Sequence, residues 1–207
     1  YHMSEMMGVL PAYRGAGLSL RLKLAQREYA LRQGHRLMTW TFDPLMARNA
    51  HLNIERLGCV CRRYIRNKYG ELTGINAGLP TDRFEAEWWI ASPRVERRLA
   101  GVDAPQPVSA WLAQGAHLMN PSHGSAAGVP VPGTPDRRFD APTLLVEIPA
   151  DSGAVKRHDL ALAQAWLGQA AELFEAAFDA GYVAARFIRH DPERPGRAYH
   201  ALLRDLN

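Results

Sequence analysis

The chain has 207 residues, 47% of them apolar and 22% charged, enough for one good-sized core or a core with a small appended unit. No apolar run approaches the roughly 20 residues of a membrane-spanning helix, and no basic-then-apolar leader opens the chain, so no membrane partner and a cytoplasmic location are expected. The net charge of +4 is carried almost wholly by scattered arginines, with lysine only at positions 23, 68 and 156, so no basic stripe argues for nucleic acid.

In chain order, residues 1–9 read as a strand, and because the first residue is Tyr1 rather than Met, this strand is expected to have sequence upstream of it. Pro11 and the loop Tyr13-Arg14-Gly15-Ala16-Gly17 follow, then a helical pattern. Leu18, Leu22, Ala25 and Tyr29 form its apolar stripe, widened by Leu20, Leu24 and Leu31, with Arg21, Lys23, Arg27 and Arg32 on the wet side. Gly34 supplies a left-handed C-cap. Residues 37–42 are a short apolar strand expected to be covered on both faces. Asp43-Pro44 predicts a helix start, N-cap then N1, for a helix running to Leu57 and stopped by Gly58. Residues 59–65 are the next strand. Its Cys59 and Cys61 share one face and form no CxxC pair, so they are expected as reduced thiols in a core.

Residues 67–81 are polar and Gly-rich, hence a loop. Residues 84–90 alternate Phe84, Ala86, Trp88 and Ile90 against Glu85, Glu87 and Trp89, a strand pattern. One of Trp88 and Trp89 is expected in the core, leaving the other free to line an apolar pocket. Residues 93–100 predict a short helix, and 101–142, rich in Pro, Gly and Ser, a connection with little regular structure. Order returns with a strand at 144–148 and a long helix over 157–180 that buries Leu160, Ala163, Leu167, Ala170, Phe174 and Ala177. Strands at 182–189 and 198–203 end the chain. The division predicted is a core over 1–100, a connection over 101–142, and a β-α-β-β segment over 143–207 that packs on or extends the core. The run after Gly181 (Tyr-Val-Ala-Ala-Arg-Phe-Ile-Arg) echoes that after Gly58 (Cys-Val-Cys-Arg-Arg-Tyr-Ile-Arg). Either an internal duplication or the shared grammar of helix–Gly–strand units accounts for it.

The chemically informative stretch runs from Met7 to Ser19. A helix entered through small residues presents unpaired backbone N–H groups and the positive end of its dipole, and Gly15 and Gly17 let a ligand approach that backbone. A pyrophosphate suits such a turn. The P-loop pattern fails because no Lys follows, and the dinucleotide fingerprint fails because Leu20 stands where Gly is needed. The acyl-CoA pattern, V-x-P followed by [RQ]xxGx[GA], fits Val9-Leu10-Pro11 and Arg14-Gly15-Ala16-Gly17-Leu18-Ser19, with Ser19 in the last small position.

On these residues the sequence resembles the GNAT superfamily of N-acetyltransferases. Asn49-Ala-His-Leu-Asn-Ile-Glu-Arg-Leu-Gly-Cys is similar to that superfamily's fourth-helix motif, and the likeness spans residues 3–66. Tyr69-Gly-Glu, Asn76-Ala-Gly-Leu-Pro and Glu87-Trp-Trp also look like an uncharacterised branch of it. The resemblance implies an α/β fold: a mixed, V-splayed sheet flanked by helices, here with a C-terminal strand–helix–strand extension. It implies that three strands and two helices would precede the Val9 strand, so that the chain begins midway through such a domain. It further implies acetyl-CoA or another short acyl-CoA as co-substrate. The pantetheine would lie beside Met7 and Val9, the pyrophosphate on the amides of Arg14 to Ser19, and Asn49 or Asn53 would reach the pantetheine.

The chemistry implied is attack of a neutral amine on the thioester, helped by a general base, with an acid for the leaving thiolate. The superfamily's usual acid is a Tyr four residues before the helix-ending Gly, but that position is Ile54. Tyr69 or Tyr64 would substitute, or water, or no acid at all. Glu5 is placed for a base, though a solvent-facing strand carboxylate reads equally well. Asp82 and Arg83 sit where an acceptor could touch them. The histidines show no metal spacing and no metal is expected. Arg157-His158-Asp159 and Arg189-His190-Asp191 lack a neighbouring nucleophile elbow. The expected acceptor is a small-molecule amine or amino acid, with room left for a homodimer. The rival readings are a CoA-holding module without activity and a protein N-acetyltransferase.

Overall fold

The computed structural model describes residues 1–5, 7–70, 78–124 and 128–204. Its centre is one mixed, largely antiparallel sheet of eight strands, with helices packed against it. The first half contributes β1 (His2–Met3), β2 (Met38–Phe42), β3 (Val60–Ile65) and β4 (Arg83–Trp88). The second contributes β5 (His117–Leu118), β8 (Thr143–Pro149), β9 (Val183–Ile188) and β10 (Arg197–Leu203), while β6 (His123–Gly124) and β7 (Pro130–Val131) form a separate pair. The order across the main sheet is β1-β2-β4-β3-β9-β10-β8-β5.

That order reads the same from both ends. In each half the first strand runs parallel to the second, the second antiparallel to the fourth, and the fourth antiparallel to the third. The halves meet where Cys61 of β3 faces Ala184 of β9, each the third residue after the glycine that ends its helix. Even the irregularity repeats: the ladder skips Arg62 in the first half and Ala185 in the second, both the fourth residue after that glycine. The sequence echo after Gly58 and Gly181 therefore marks strands with the same place in two copies of one β-β-α-β-β unit. Both glycines have left-handed φ, +77° and +86°, which any side chain would strain.

The connections differ. Between β1 and β2 lie a 3₁₀ turn (Pro11–Tyr13) and α1 (Leu18–Arg32). Between β5 and β8 the described chain holds only β6 and β7. β2 leads to α2 (Ala47–Ala50) and a π-helical segment (His51–Arg56), whereas β8 leads to α5 (Ser152–His158) and α6 (Leu160–Asp179). α3 (Pro93–Leu99) and α4 (Val108–Ala113) follow β4. The core lies between the sheet and these helices: Phe84 packs edge-on against Phe42, Tyr64, Phe174 and His200, and Trp88 packs against Trp40. Truncating a side chain as enclosed as Trp88 costs about 3–5 kcal/mol. Among the described residues no helix is long and apolar enough to cross a membrane.

Several expectations need correction. The opening strand is short: among the described residues the last ladder bond to β2 is the Ser4 N–H on Thr39 O. α1 turns a different face inward. Leu22 and Tyr29 are 49% and 52% exposed, whereas Lys23, read as wet, is buried. Leucines stand on more than one side of this helix, so periodicity alone could not choose the face. β2 is half-exposed on alternate residues rather than covered on both faces. Asp43 is not the helix cap: its Oδ1 accepts the Leu45 N–H in a preceding turn, and the helix starts at Ala47. The helix then widens into π turns, Leu57 N–H reaching back to Leu52 O, an insertion that a 3.6-residue period cannot reveal.

The predicted helix over 157–180 is two helices, because Asp159 accepts the N–H groups of Ala161 and Leu162 and starts α6 there. Leu160, expected inside, is 42% exposed. Residues 101–142 contain α4 and three two-residue strands, one of which joins the main sheet. Cys59 and Cys61 are free and buried as expected, and burial pushes both thiols up.

Candidate functional site

Two neighbouring cavities open at the β1–β2 end of the first half. The smaller, about 120 Å³, is lined by Ser4, Glu5, Met7, Lys23, Asn49 and Asn53 among others. The larger, about 850 Å³, lies at the end of β2 and runs to the second half, with Asp43, Tyr69, Leu79, Arg83, Trp166 and Arg189 in its wall. Glu5, Thr41, Phe42 and Asn49 line both, so the two cavities meet there. Their combined size is that of a small-molecule site.

Past Ser4 no described residue of this stretch bonds to the β2 backbone, and Lys23 of α1 lies against Ser4. Its ammonium donates to Ser4 Oγ (3.0 Å) and Gln26 Oε1 (3.1 Å) and lies 3.6 Å from the Trp40 ring centroid. Burial pulls this amine down to about 8. Asn49 and Asn53, expected on one helical face, do line the same cavity; Asn53 is buried and Asn49 half-buried.

The loop 14–19 is exposed up to Gly17, and Leu18 and Ser19 are half-buried at the head of α1. Gly17 is the N-cap at φ +71°, with no side chain capping the helix, and Gly15 lies at φ +86°. A Cβ on either glycine would meet nothing within 4 Å, so the turn faces open space. Arg14 is tied back, its Nε donating to Val9 O at 3.2 Å. The N–H groups of Tyr13 and Arg14 close the 3₁₀ turn, and no described backbone acceptor takes those of Gly15 to Ser19.

The two candidate acids have different surroundings. Tyr69 is half-exposed on the larger cavity, its hydroxyl 3.1 Å from Thr41 Oγ1 and its ring under the Arg83 guanidinium. Tyr64 lines neither cavity. Its hydroxyl donates to Asp82 Oδ2 at 2.7 Å, and burial together with that bond pushes it far above the ordinary tyrosine value. Asp82 is further held by the Asn67 N–H, so Tyr64 and Asp82 form a buried brace at the base of the 67–81 loop. Ile54 is fully buried in the core. Glu5 is exposed where the cavities join. Trp89 is 46% exposed, bonds to Glu87 and lines neither cavity. Asn76, Ala77 and Glu71 lie outside the described residues.

Asp43, read from sequence as a cap, is a carboxylate in the cavity wall. Burial raises it above the usual carboxylate range, against a smaller opposing pull from the Leu45 amide. The far wall, Ala150 to Arg157 with Trp166 and Leu167, belongs to the second half and carried no local signal as a site. Neither Arg-His-Asp run acts as a triad: Asp159 caps α6, and Asp191 accepts from Tyr199 Oη (3.0 Å) and Glu193 N. Among the described residues no group of three or more His, Cys, Asp or Glu is placed to hold a metal ion. Compared with protein-family models, curated proteins and solved structures, the chain matches none.

Proposed function

We propose that the protein is a GNAT-like, acyl-CoA-dependent N-acyltransferase that moves an acetyl or short acyl group to a small-molecule amine. The observation that carries this reading is that, among the described residues, the parallel pairing of β1 with β2 goes no further than Ser4. A cavity there is lined by Met7, Asn49 and Asn53 and by Lys23 of α1, the helix whose N-terminus no side chain caps, although residues 14–19 themselves line neither cavity. A thioester arm laid along residues 7–9 would pair with that backbone, and its pyrophosphate would take the amides of Gly15 to Ser19.

The acyl carbon would then sit near the junction of the cavities, within reach of Glu5 and facing the acceptor space. Glu5 serves as general base for the amine and Tyr69 as acid for the thiolate. Tyr64, held by Asp82, serves structure instead. The second half contributes Trp166, Leu167 and Arg189 to the wall of the larger cavity, whose volume of about 850 Å³ suits a small acceptor.

The test is to mix the purified protein with acetyl-CoA and a panel of small amines while following free thiol. Thiol release that depends on an amine supports the proposal. Tight CoA binding without release on any acceptor favours the non-catalytic module, for which the buried Ile54 at the usual acid position is the motive.

A further inference from the structure

The internal repeat offers a control for each site residue, and at one position the two halves diverge. Their second strands are in equivalent register: Phe42 faces Phe84 as Val146 faces His200, and Phe84 and His200 hold equivalent places opposite Tyr64 and Phe187. The next residues, Asp43 and Glu147, are therefore counterparts, a carboxylate in both halves.

Glu147 is completely buried and paired with two arginines. Arg194 Nη1 lies 2.7 Å and Arg197 Nε 3.5 Å from its oxygens, and the Ser122 N–H donates to it at 3.2 Å. Asp43 has the Leu45 N–H and, among the described residues, no cation within ion-pair distance; Arg83 acts on it only at longer range. The second half thus supplies its own counter-charge where the first half leaves a carboxylate facing an 850 Å³ cavity. The same cavity carries Arg48 on α2, Arg157 at the end of α5 and Arg189 after β9 at its exposed rim. Arg157 has only a 3.9 Å contact with Asp151, and Arg48 and Arg189 have no described acid within 4.0 Å. Leu79, Trp166 and Leu167 lie between these poles as apolar wall.

We infer that this cavity binds an amphoteric ligand, a primary amine that also bears a carboxylate or phosphate, with its ammonium on Asp43 and its anionic group on the arginine rim. A half-buried carboxylate without a counter-charge is costly, and an incoming ammonium supplies one. The assignment rests on the acyl-transfer reading for the fate of the amine, but the binding stands on the cavity alone.

Equilibrium binding without any acyl donor tests it, using L-phenylalanine, phenethylamine (no carboxylate) and N-acetyl-phenylalanine (no free amine) as probes. L-Phenylalanine should bind at least tenfold more tightly than either truncated probe. Asp43→Asn keeps an oxygen for the Leu45 N–H and so preserves the turn; it should weaken the two amines at least tenfold and leave N-acetyl-phenylalanine unchanged. Arg189→Gln should do the reverse, weakening the two carboxylates. Circular dichroism of each variant checks the fold. Failure of all three probes to bind at 10 mM, on the order of the weakest affinities worth measuring, overturns the inference, as does an Asp43→Asn variant that binds amines like the parent. CoA binding without amine binding sinks this inference alone. Amine binding without CoA binding sinks the acyl-transfer reading and leaves this one standing.

Discussion

Gly17 allows the anion site to be tested with charge separated from strain. It is the N-cap of α1 at φ +71°, and a Cβ there meets nothing within 4 Å, so Gly17→Ala adds backbone strain without a clash. An L-residue in this region costs roughly 1–2 kcal/mol. Gly17→Glu carries the same strain and adds a negative charge beside the amides from Gly15 onward. Two phosphate charges about 5 Å from that carboxylate, at an effective dielectric constant of about 40, feel a repulsion of order 2–3 kcal/mol. Both variants should therefore lose the same 1–2 kcal/mol of stability in urea unfolding, while CoA binding, measured calorimetrically, weakens at least about 30-fold more in Glu than in Ala. Raising the salt to 1 M should shrink that gap, since screening then acts within about 3 Å. Equal dissociation constants for the two variants would show that no phosphate sits on this turn.

Further outcomes are expected elsewhere. Tyr69→Phe should lower kcat about 100-fold with little change in KM, whereas Tyr64→Phe should cost about 1–2 kcal/mol of stability and leave kcat alone; equal kinetic effects would remove the distinction between them. Glu55, buried in the π-helical segment, accepts from Arg98, Arg186 and the Phe187 N–H, so Glu55→Gln should destabilise by about 3 kcal/mol in chemical denaturation. A loss below about 1 kcal/mol would show that Asp103, 3.5 Å from Arg98, suffices as its partner. His200 is buried against Phe84, Phe174 and Phe187, its Nε2 against Pro44 O at 2.8 Å, and burial lowers it from 6.5 to about 4. Because the unfolded chain takes this proton first, the stability is complete above pH 6.5 and lost between 6.5 and 4, up to about 3 kcal/mol. His200→Phe, matching Phe84 in the other half, should flatten that part of the stability–pH curve; an unchanged slope would assign it to other groups.

Much of the fold was legible in the residues because glycine and proline punctuate it. Gly34, Gly58 and Gly181 end helices where left-handed φ is required, and alternation at Phe84, Ala86 and Trp88 placed β4 with the correct face inward. The echo after Gly58 and Gly181 pointed to two strands with one role. What failed was local in appearance and tertiary in cause. Lys23 looked like a surface residue because its partners, Ser4 and Trp40, lie on other elements. Tyr64 and Tyr69 could not be ranked, because the difference between them is Asp82, thirteen or more residues downstream of both, closing on one and not the other.

The sequence by itself determined most of the units: that glycines 34, 58 and 181 end helices, that two stretches share a pattern, and that one turn before α1 is rich in glycine. These are properties of a few neighbouring residues, set by backbone sterics and by the period of apolar side chains. Only the tertiary structure decided that Lys23 is buried against Ser4 and Trp40, that the second half walls part of the larger cavity, and that Glu147 is paired with arginines while Asp43 is not. Charge balance and cavity shape depend on groups far apart in the chain, and whether a carboxylate has its cation is settled only when the sheet brings them together.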